Sequence, residues 1–194
     1  MDVILAEADA GLYRVAGAFA EEDLAAWVGL VDWRINQIRL FGNLHDEPRE
    51  TAWYGPAYRY SSISWPARPM PAPLLAMAQR IESALGAAGH GLPAGWRFNS
   101  VLLNHYRNGR DHMGWHRDNE REIDGLWIAS VSLGATRDFK VRRWGEREAM
   151  AVPLAHGDLL LMRNFQEGFE HALPKRLKVD GPRLNFTFRR CVVG

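Results

Sequence analysis

The segment Asn104-His105-Tyr106-Arg107-Asn108-Gly109-Arg110-Asp111-His112-Met113-Gly114-Trp115-His116-Arg117-Asp118 gathers three histidines and two aspartates around two glycines. His116 and Asp118 are two residues apart, so on an extended strand both side chains point to one face. A neutral imidazole and a carboxylate there are two kinds of metal ligand. His171, in Phe169-Glu170-His171-Ala172-Leu173-Pro174, offers a third. Two imidazoles and one carboxylate on one face of Fe(II) leave three coordination positions open for oxygen chemistry. Alone, a His-x-Asp tripeptide reads more readily as an ordinary surface or core pair. The remaining histidines, His45, His90, His105, His112 and His156, show no comparable pairing and read as loop or core residues.

The end of the chain shifts that balance. In Arg183-Leu184-Asn185-Phe186-Thr187-Phe188-Arg189 a period of two puts Arg183, Asn185, Thr187 and Arg189 on one face and the three apolar side chains on the other. An interior lined by two guanidiniums, an amide and a hydroxyl calls for an anion, because a buried unpaired charge is prohibitively costly. A dicarboxylic acid fits two arginines, whose planar forks match carboxylates. Arg183 and Arg189 stand six residues apart, roughly 20 Å along a strand, so both would lean toward the ligand from opposite ends. The alternative leaves this polar face in water.

These residues need elements to hold them. Glu21–Ile35 reads as a helix with acids at its start and an apolar stripe of Leu24, Trp27, Val28 and Val31. Pro73–Leu85 reads as a second, with Leu74, Ala78, Ile81 and Leu85 on one face and Gly86, Gly89 and Gly91 beyond it. After Gly95 the texture becomes short strands between turn residues: Phe98–Tyr106, Leu126–Leu133, Arg137–Trp144, Ala149–Leu154, Leu159–Met162 and Arg183–Arg190. Strands in that density without intervening helices predict an antiparallel sandwich or jelly roll. The Pro-rich run from Trp65 to Pro73 is the expected joint between an N-terminal layer and this core.

Composition sets the outer bounds. At 194 residues, 47% hydrophobic and 24% charged, the chain suits one globular domain and excludes disorder, collagen and coiled coil. Its single cysteine, Cys191, rules out an intramolecular disulfide and speaks against a thiolate zinc site. No apolar run reaches the roughly 18 residues of a membrane span. The N-terminus carries Asp2, Glu7 and Asp9 rather than a basic leader, so an intracellular protein is expected. Net charge is only +1, yet Arg137 to Arg190 holds twelve Lys/Arg against seven Asp/Glu. Such a basic third suits a polyanion, or is simply a solvated Arg-rich surface.

Together, Asn104-x-Tyr106, His116-x-Asp118, His171 and the Arg183/Arg189 pair resemble the AlkB family of Fe(II)/2-oxoglutarate dioxygenases. The stretches Ile128–Ala135 and Arg183–Arg189 are most similar to the group of its second and third mammalian homologues. The resemblance implies a mainly β fold with flanking helices. This is a double-stranded β-helix (a cupin-like jelly roll) over 96–194, preceded by an N-terminal α/β nucleotide-recognition layer over 1–95, all one domain. It implies Fe(II) on His116, Asp118 and His171 as the catalytic centre. It places 2-oxoglutarate against Asn104, Tyr106, Arg183, Asn185, Thr187 and Arg189, its far carboxylate on Arg183, with O2 as the second co-substrate.

The same resemblance implies oxidation of an N-methyl group on 1-methyladenine or 3-methylcytosine in DNA. The keto acid is decarboxylated to succinate and CO2, and the hydroxylated methyl leaves as formaldehyde. A base inside a duplex must be flipped out to reach such a centre. Tyr58 and Tyr60 would face it, Tyr60 stacking opposite the His116 ring. Phe41, in Leu40-Phe41-Gly42, resembles a finger that fills the vacated stack. Lys175-Arg176-Leu177-Lys178 resembles a basic loop in which Arg176 and Lys178, with Arg142 elsewhere, contact phosphates. Glu120 would meet the base edge, and Asn119 stands where that group carries a carboxylate.

The expectation is therefore a monomeric DNA-repair demethylase of duplex DNA, without membrane association, cytoplasmic in a bacterium or nuclear in a eukaryote. RNA, especially methylated transfer RNA, is the alternative substrate. A lesion-binding module without catalysis is the alternative class.

Overall fold

Leu184, Phe186 and Phe188 alternate along the last strand with Arg183, Asn185, Thr187 and Arg189, and the two rows face different interiors. The apolar row enters a core beneath the helices. The polar row lines a cavity on the other side of the sheet. The computed structural model describes residues 1–40, 43–60 and 63–192.

In chain order the elements begin with β1 (Asp2–Glu7), β2 (Ala10–Val15), α1 (Leu24–Leu30), β3 (Gln37–Leu40), β4 (Asn43–Asp46), β5 (Glu50–Tyr54), β6 (Tyr58–Tyr60), β7 (Ile63–Trp65) and α2 (Ala72–Ala87). There follow β8 (Ser100–Tyr106), β9 (Met113–His116), β10 (Ile123–Gly134) and β11 (Arg137–Arg143). The last are β12 (Met150–Leu154), β13 (Leu159–Arg163), β14 (Phe169–Leu173) and β15 (Arg183–Cys191). Seven strands form a large sheet in the order β1-β2-β13-β10-β15-β8-β5, and four form a small one, β12-β11-β14-β9. Every pairing in both is antiparallel. β3-β4 and β6-β7 are separate ribbons. This is the expected jelly roll, and strands from both halves of the chain share its large sheet.

The helices cover one face of that sheet. Leu74, Met77, Ala78, Ile81 and Leu85 of α2 are buried against Val101, Leu103, Leu184, Phe186 and Phe188. Each large aliphatic side chain so buried contributes roughly 1.5–3 kcal/mol before the entropy of ordering is charged. The other face packs on the small sheet through Ile128, Leu160 and Met162 against Phe139, Val141, Val152, Leu154 and Phe169.

The second helix falls where its apolar period put it. The first is shorter than expected, Leu24–Leu30 rather than Glu21–Ile35. Asp23 is the cap, its Oδ1 accepting from the amides of Ala25 (2.8 Å) and Ala26 (3.3 Å), so the acids precede the helix rather than fill its first turn. At the other end Val31 is already extended. Arg34 exchanges backbone hydrogen bonds with Thr51 (3.0 and 2.8 Å), which replace the helical ones. The hairpin β1-β2 and strands β9 and β14, absent from the sequence-based expectation, are short or poorly alternating and gain their order from pairing.

Candidate metal centre and its cavity

His116 closes β9, Asp118 lies two residues on, and β14 sets His171 directly opposite His116. The antiparallel register, which no local pattern reveals, brings distant residues together here. One ligand atom from each of His116, Asp118 and His171 lies within 4.8 Å of the other two. The imidazole centroids are 4.3 Å apart, and Phe139 stacks on His171 at 5.0 Å.

Protonation suits a divalent cation. His116 Nδ1 lies 2.9 Å from the Gly114 carbonyl, which can only accept, so Nδ1 carries the proton and Nε2 keeps its lone pair. Burial pushes both imidazoles below the ordinary histidine range, His171 to about 3 with the His116 charge adding to the effect. Burial alone would raise Asp118, but the Arg189 guanidinium, with His171 and His116, outweighs it and holds the carboxyl at about 2. Two neutral imidazoles and one carboxylate present a single negative charge, a set that fits Fe(II). Two further contacts orient the aspartate: Arg189 Nη2 meets Oδ2 at 2.8 Å, and the Asp118 amide donates to Gln166 Oε1 at 2.9 Å.

From this centre a cavity of about 810 Å³, its open mouth included, runs between the sheets along β15 and β8. Asn104, Tyr106, Arg183, Asn185, Thr187 and Arg189 all line it. Thr187 Oγ1 donates to Asn185 Oδ1 (2.9 Å), and Asn185 Nδ2 donates to Ser130 Oγ (2.6 Å). Arg183 is 2% exposed and gives Nη2 to Ser132 Oγ at 2.8 Å, while its Nε has no partner. Among the described residues no carboxylate pairs with it, and burial lowers its pKa to about 10. A buried guanidinium with spare donors, at the far end of a cavity that starts at a metal-type cluster, fits the distant carboxylate of a keto acid. The structure refines the expectation of an external anion at each arginine: Arg189 already holds Asp118, whereas among the described residues Arg183 has no protein anion.

The cavity's side wall is where sequence reasoning missed residues. Arg49 Nε donates to Asn104 Oδ1 (2.7 Å) and its Nη2 pairs with Glu47 (2.9 Å), all three being buried. Asn36 completes the group by donating to Glu47 (3.1 Å) and Thr51 (2.6 Å). Ser130, Ser132, Gln166 and Phe139 were also missed. Only the polar residues among apolar neighbours in β10 offered a sequence signal.

The expected nucleic-acid contacts are placed less uniformly. Tyr58 lines the cavity, stacked on Trp53 at 4.5 Å, with its hydroxyl buried and unbonded and its pKa pushed up by burial. Glu120 is half-buried, its Oε2 without a partner and its pKa raised by burial and by Asp118. Asn119 is exposed. Phe41, and the side chain of Tyr60, lie outside the described residues. Arg142 is engaged by Glu170 (2.8 Å) and Arg176 by Asp138 (2.9 Å), while Lys178 is exposed. The loop carrying Arg176 and Lys178 is pinned by reciprocal backbone bonds, Gly109 to Val179 and Arg176 to Gly109, each 2.7 Å. A Cβ on Gly109 would overlap the Arg176 carbonyl.

Residues 18–189 match the 2OG-Fe(II) oxygenase superfamily. The chain is 38% identical over 170 residues to the human DNA oxidative demethylase ALKBH2, covering 81% of this chain and 62% of the relative. It is 37% identical to the human alpha-ketoglutarate-dependent dioxygenase alkB homolog 3, covering 75% of this chain and 52% of that one. The Arabidopsis thaliana ALKBH2 is 32% identical, with 82% and 58% covered. The chain thus spans between about half and two thirds of these relatives' lengths. The structure of OsALKBH1 superposes with a TM-score of 0.65 over 97% of this chain and 99% of that one, at 16% identity, a likeness of fold. Among the described residues no helix is long and apolar enough to cross a membrane.

Proposed function

The chain belongs to the AlkB family of the 2OG-Fe(II) oxygenase superfamily, and on that premise we propose that it oxidatively demethylates N-methylated bases in DNA. The substrates are 1-methyladenine and 3-methylcytosine, everted from a duplex, and the role is alkylation repair. The carrying observation is the cavity with His116, Asp118 and His171 at one end and Arg183, lacking a carboxylate partner, at the other.

His116, Asp118 and His171 would hold Fe(II), and Arg183 with Asn104 and Tyr106 would hold 2-oxoglutarate. Bound there, the pair supplies oxidation of a C–H bond by O2, coupled to decarboxylation of the keto acid. The protein's part is placement. Arg183, with a spare donor in the cavity, would hold the keto acid by a carboxylate. Asn185 and Thr187, tied to each other and to Ser130, keep that wall rigid. Phe139 and Leu173 on one side and Leu102 and Met162 on the other exclude water. Tyr58, stacked on Trp53 and lining the cavity, would offer a flat wall for a base, and Glu120 beside it would accept from an exocyclic amine. A lesion that blocks Watson–Crick pairing lowers the cost of eversion. The name of the similar human DNA oxidative demethylase ALKBH2 supports DNA as the substrate class, and the exposed cations of the loop carrying Arg176 and Lys178 support a duplex.

The test is a methylated duplex oligonucleotide incubated with protein, Fe(II), 2-oxoglutarate and O2, then read by mass spectrometry. Loss of the methyl mass with release of formaldehyde and succinate is expected. Retention of the methyl group by fully loaded protein overturns the proposal, and faster turnover of RNA than DNA moves the substrate to RNA.

A further inference from the structure

The small sheet turns a second row of side chains away from the cavity. Trp115, immediately before His116, is 36% exposed, and Trp144, just past β11, is 62% exposed. Each indole carries a guanidinium on its ring: Arg142 lies 4.1 Å from the Trp115 centroid and Arg117 lies 4.0 Å from that of Trp144. His116 is therefore flanked in sequence by one member of each pair.

These pairs are fixed to the backbone that holds the metal ligands. The Trp144 amide donates to the Gly168 carbonyl (3.0 Å), and Arg117 reaches the Glu167 carbonyl (3.5 Å). Both belong to the segment whose Gln166 orients Asp118. The charges differ in availability. Arg142 spends its Nε on Glu170, whereas among the described residues Arg117 has no carboxylate partner. Two exposed indoles, each with a cation on its ring, and with Arg142 and Trp144 drawn from the basic stretch Arg137–Arg190, match a polyanion that also carries flat π-faces.

Resting on the reading that this site acts on nucleic acid, we propose that Trp115 and Trp144 form a stacking platform for unpaired nucleotides of the strand that delivers the everted base. A base stacks on each indole, the arginine beneath supplies cation–π attraction, and Arg117 meets a phosphate. Stacking of this kind tolerates any sequence, because every base has a π-face. The platform thus adds affinity for strands already open, beyond what pairing with the cavity provides.

The experiment measures binding of the full chain to unmethylated oligothymidylate and to a fully paired duplex by fluorescence anisotropy. Trp115→Ala and Trp144→Ala should each weaken oligothymidylate binding roughly tenfold, Trp144→Phe should keep most of it, and the duplex should change far less. Arg117→Ala should lower the slope of log affinity against log salt by about 0.7. Unchanged oligothymidylate binding overturns the platform, and so does an equal loss on both probes. Either result would leave this face to a protein partner. Should a variant misfold, oxidative labelling of the unaltered protein decides: oligothymidylate must protect Trp144, and an unprotected indole overturns the proposal. Protein that binds oligothymidylate through Trp144 yet strips no methyl group sinks the demethylase reading alone. Protein that demethylates without engaging Trp144 sinks only the platform.

Discussion

Arg189 of the large sheet donates to Asp118 Oδ2 at 2.8 Å, so the carboxylate of the candidate metal centre, two residues past β9 of the small sheet, is held by a guanidinium from the opposite layer. The pair joins the two layers at the point where the three ligands meet. Removing the guanidinium has opposed effects. Loss of a nearby positive charge favours a bound cation, while loss of orientation frees Asp118 to turn away. Partners of metal ligands typically govern affinity by 10–100-fold through orientation, so orientation wins. Arg189→Met is expected to weaken Mn(II) binding by about that factor in a calorimetric titration, with Arg189→Lys recovering part. Equal affinity in all three proteins would show that Asp118 needs no such support.

Arg183 makes a contrasting prediction from the same strand. Its buried charge without a protein anion costs the ligand-free protein several kcal/mol by general desolvation arguments, more than the bond to Ser132 returns. Arg183→Met should therefore raise the melting temperature of the free protein. The same variant should lose the further rise that 2-oxoglutarate with Mn(II) gives the unaltered protein. A variant that melts lower without ligand, or still responds to the keto acid, contradicts this account.

Arg49 and Glu47 pair in the cavity wall with about 5% and 4% of their side chains exposed. Breaking such a pair from one side leaves an uncompensated buried charge, which costs about 3–5 kcal/mol. Arg49→Met should show that loss in denaturant unfolding, and Glu47→Leu combined with it should recover most of the stability. Keto-acid affinity should stay reduced in the double variant, because Asn104 has lost the donor that fixes its amide. Recovery of both quantities would make the network purely structural.

What the sequence disclosed follows from how local each feature is. The alternation in β15 needs only period two, and it separated Arg183, Asn185, Thr187 and Arg189 from Leu184, Phe186 and Phe188 correctly. His116 and Asp118 share a two-residue spacing, but β9 ends at His116, so the strand face expected to carry both carries His116 alone, and Gln166 and Arg189 place Asp118 in the loop that follows. His171 was identifiable only beside them, since its meeting with His116 is a matter of register between β9 and β14. Arg49 and Glu47 carry no periodic signal, because their burial comes from Asn104 on a strand far along the chain. The length of α1 was overestimated because the competitor for its last turn, Thr51, lies outside the window any helical pattern samples. Arg142 was expected to reach phosphate, but Glu170 sits across from it in the β11-β14 register and takes its Nε.

Asp111 ties down the turn between β8 and β9. Its Oδ2 accepts from the Arg107 amide (2.9 Å) and Nε (2.8 Å), and its Oδ1 accepts from Nη2 (3.0 Å). Burial pushes this carboxyl up, but the Arg107 bonds and charge outweigh it and leave its pKa below the ordinary range. A carboxyl depressed on folding adds stability that is complete above its unfolded value, about 3.9, and fades as pH falls through the lower folded value. Arg107 is partly exposed, which limits the contribution to about 1 kcal/mol. Asp111→Asn should therefore unfold at lower denaturant than the unaltered protein near pH 7, with the gap closing as pH drops below about 4. A gap that stays constant across that range would assign the loss to packing of the turn rather than to the charge of Asp111.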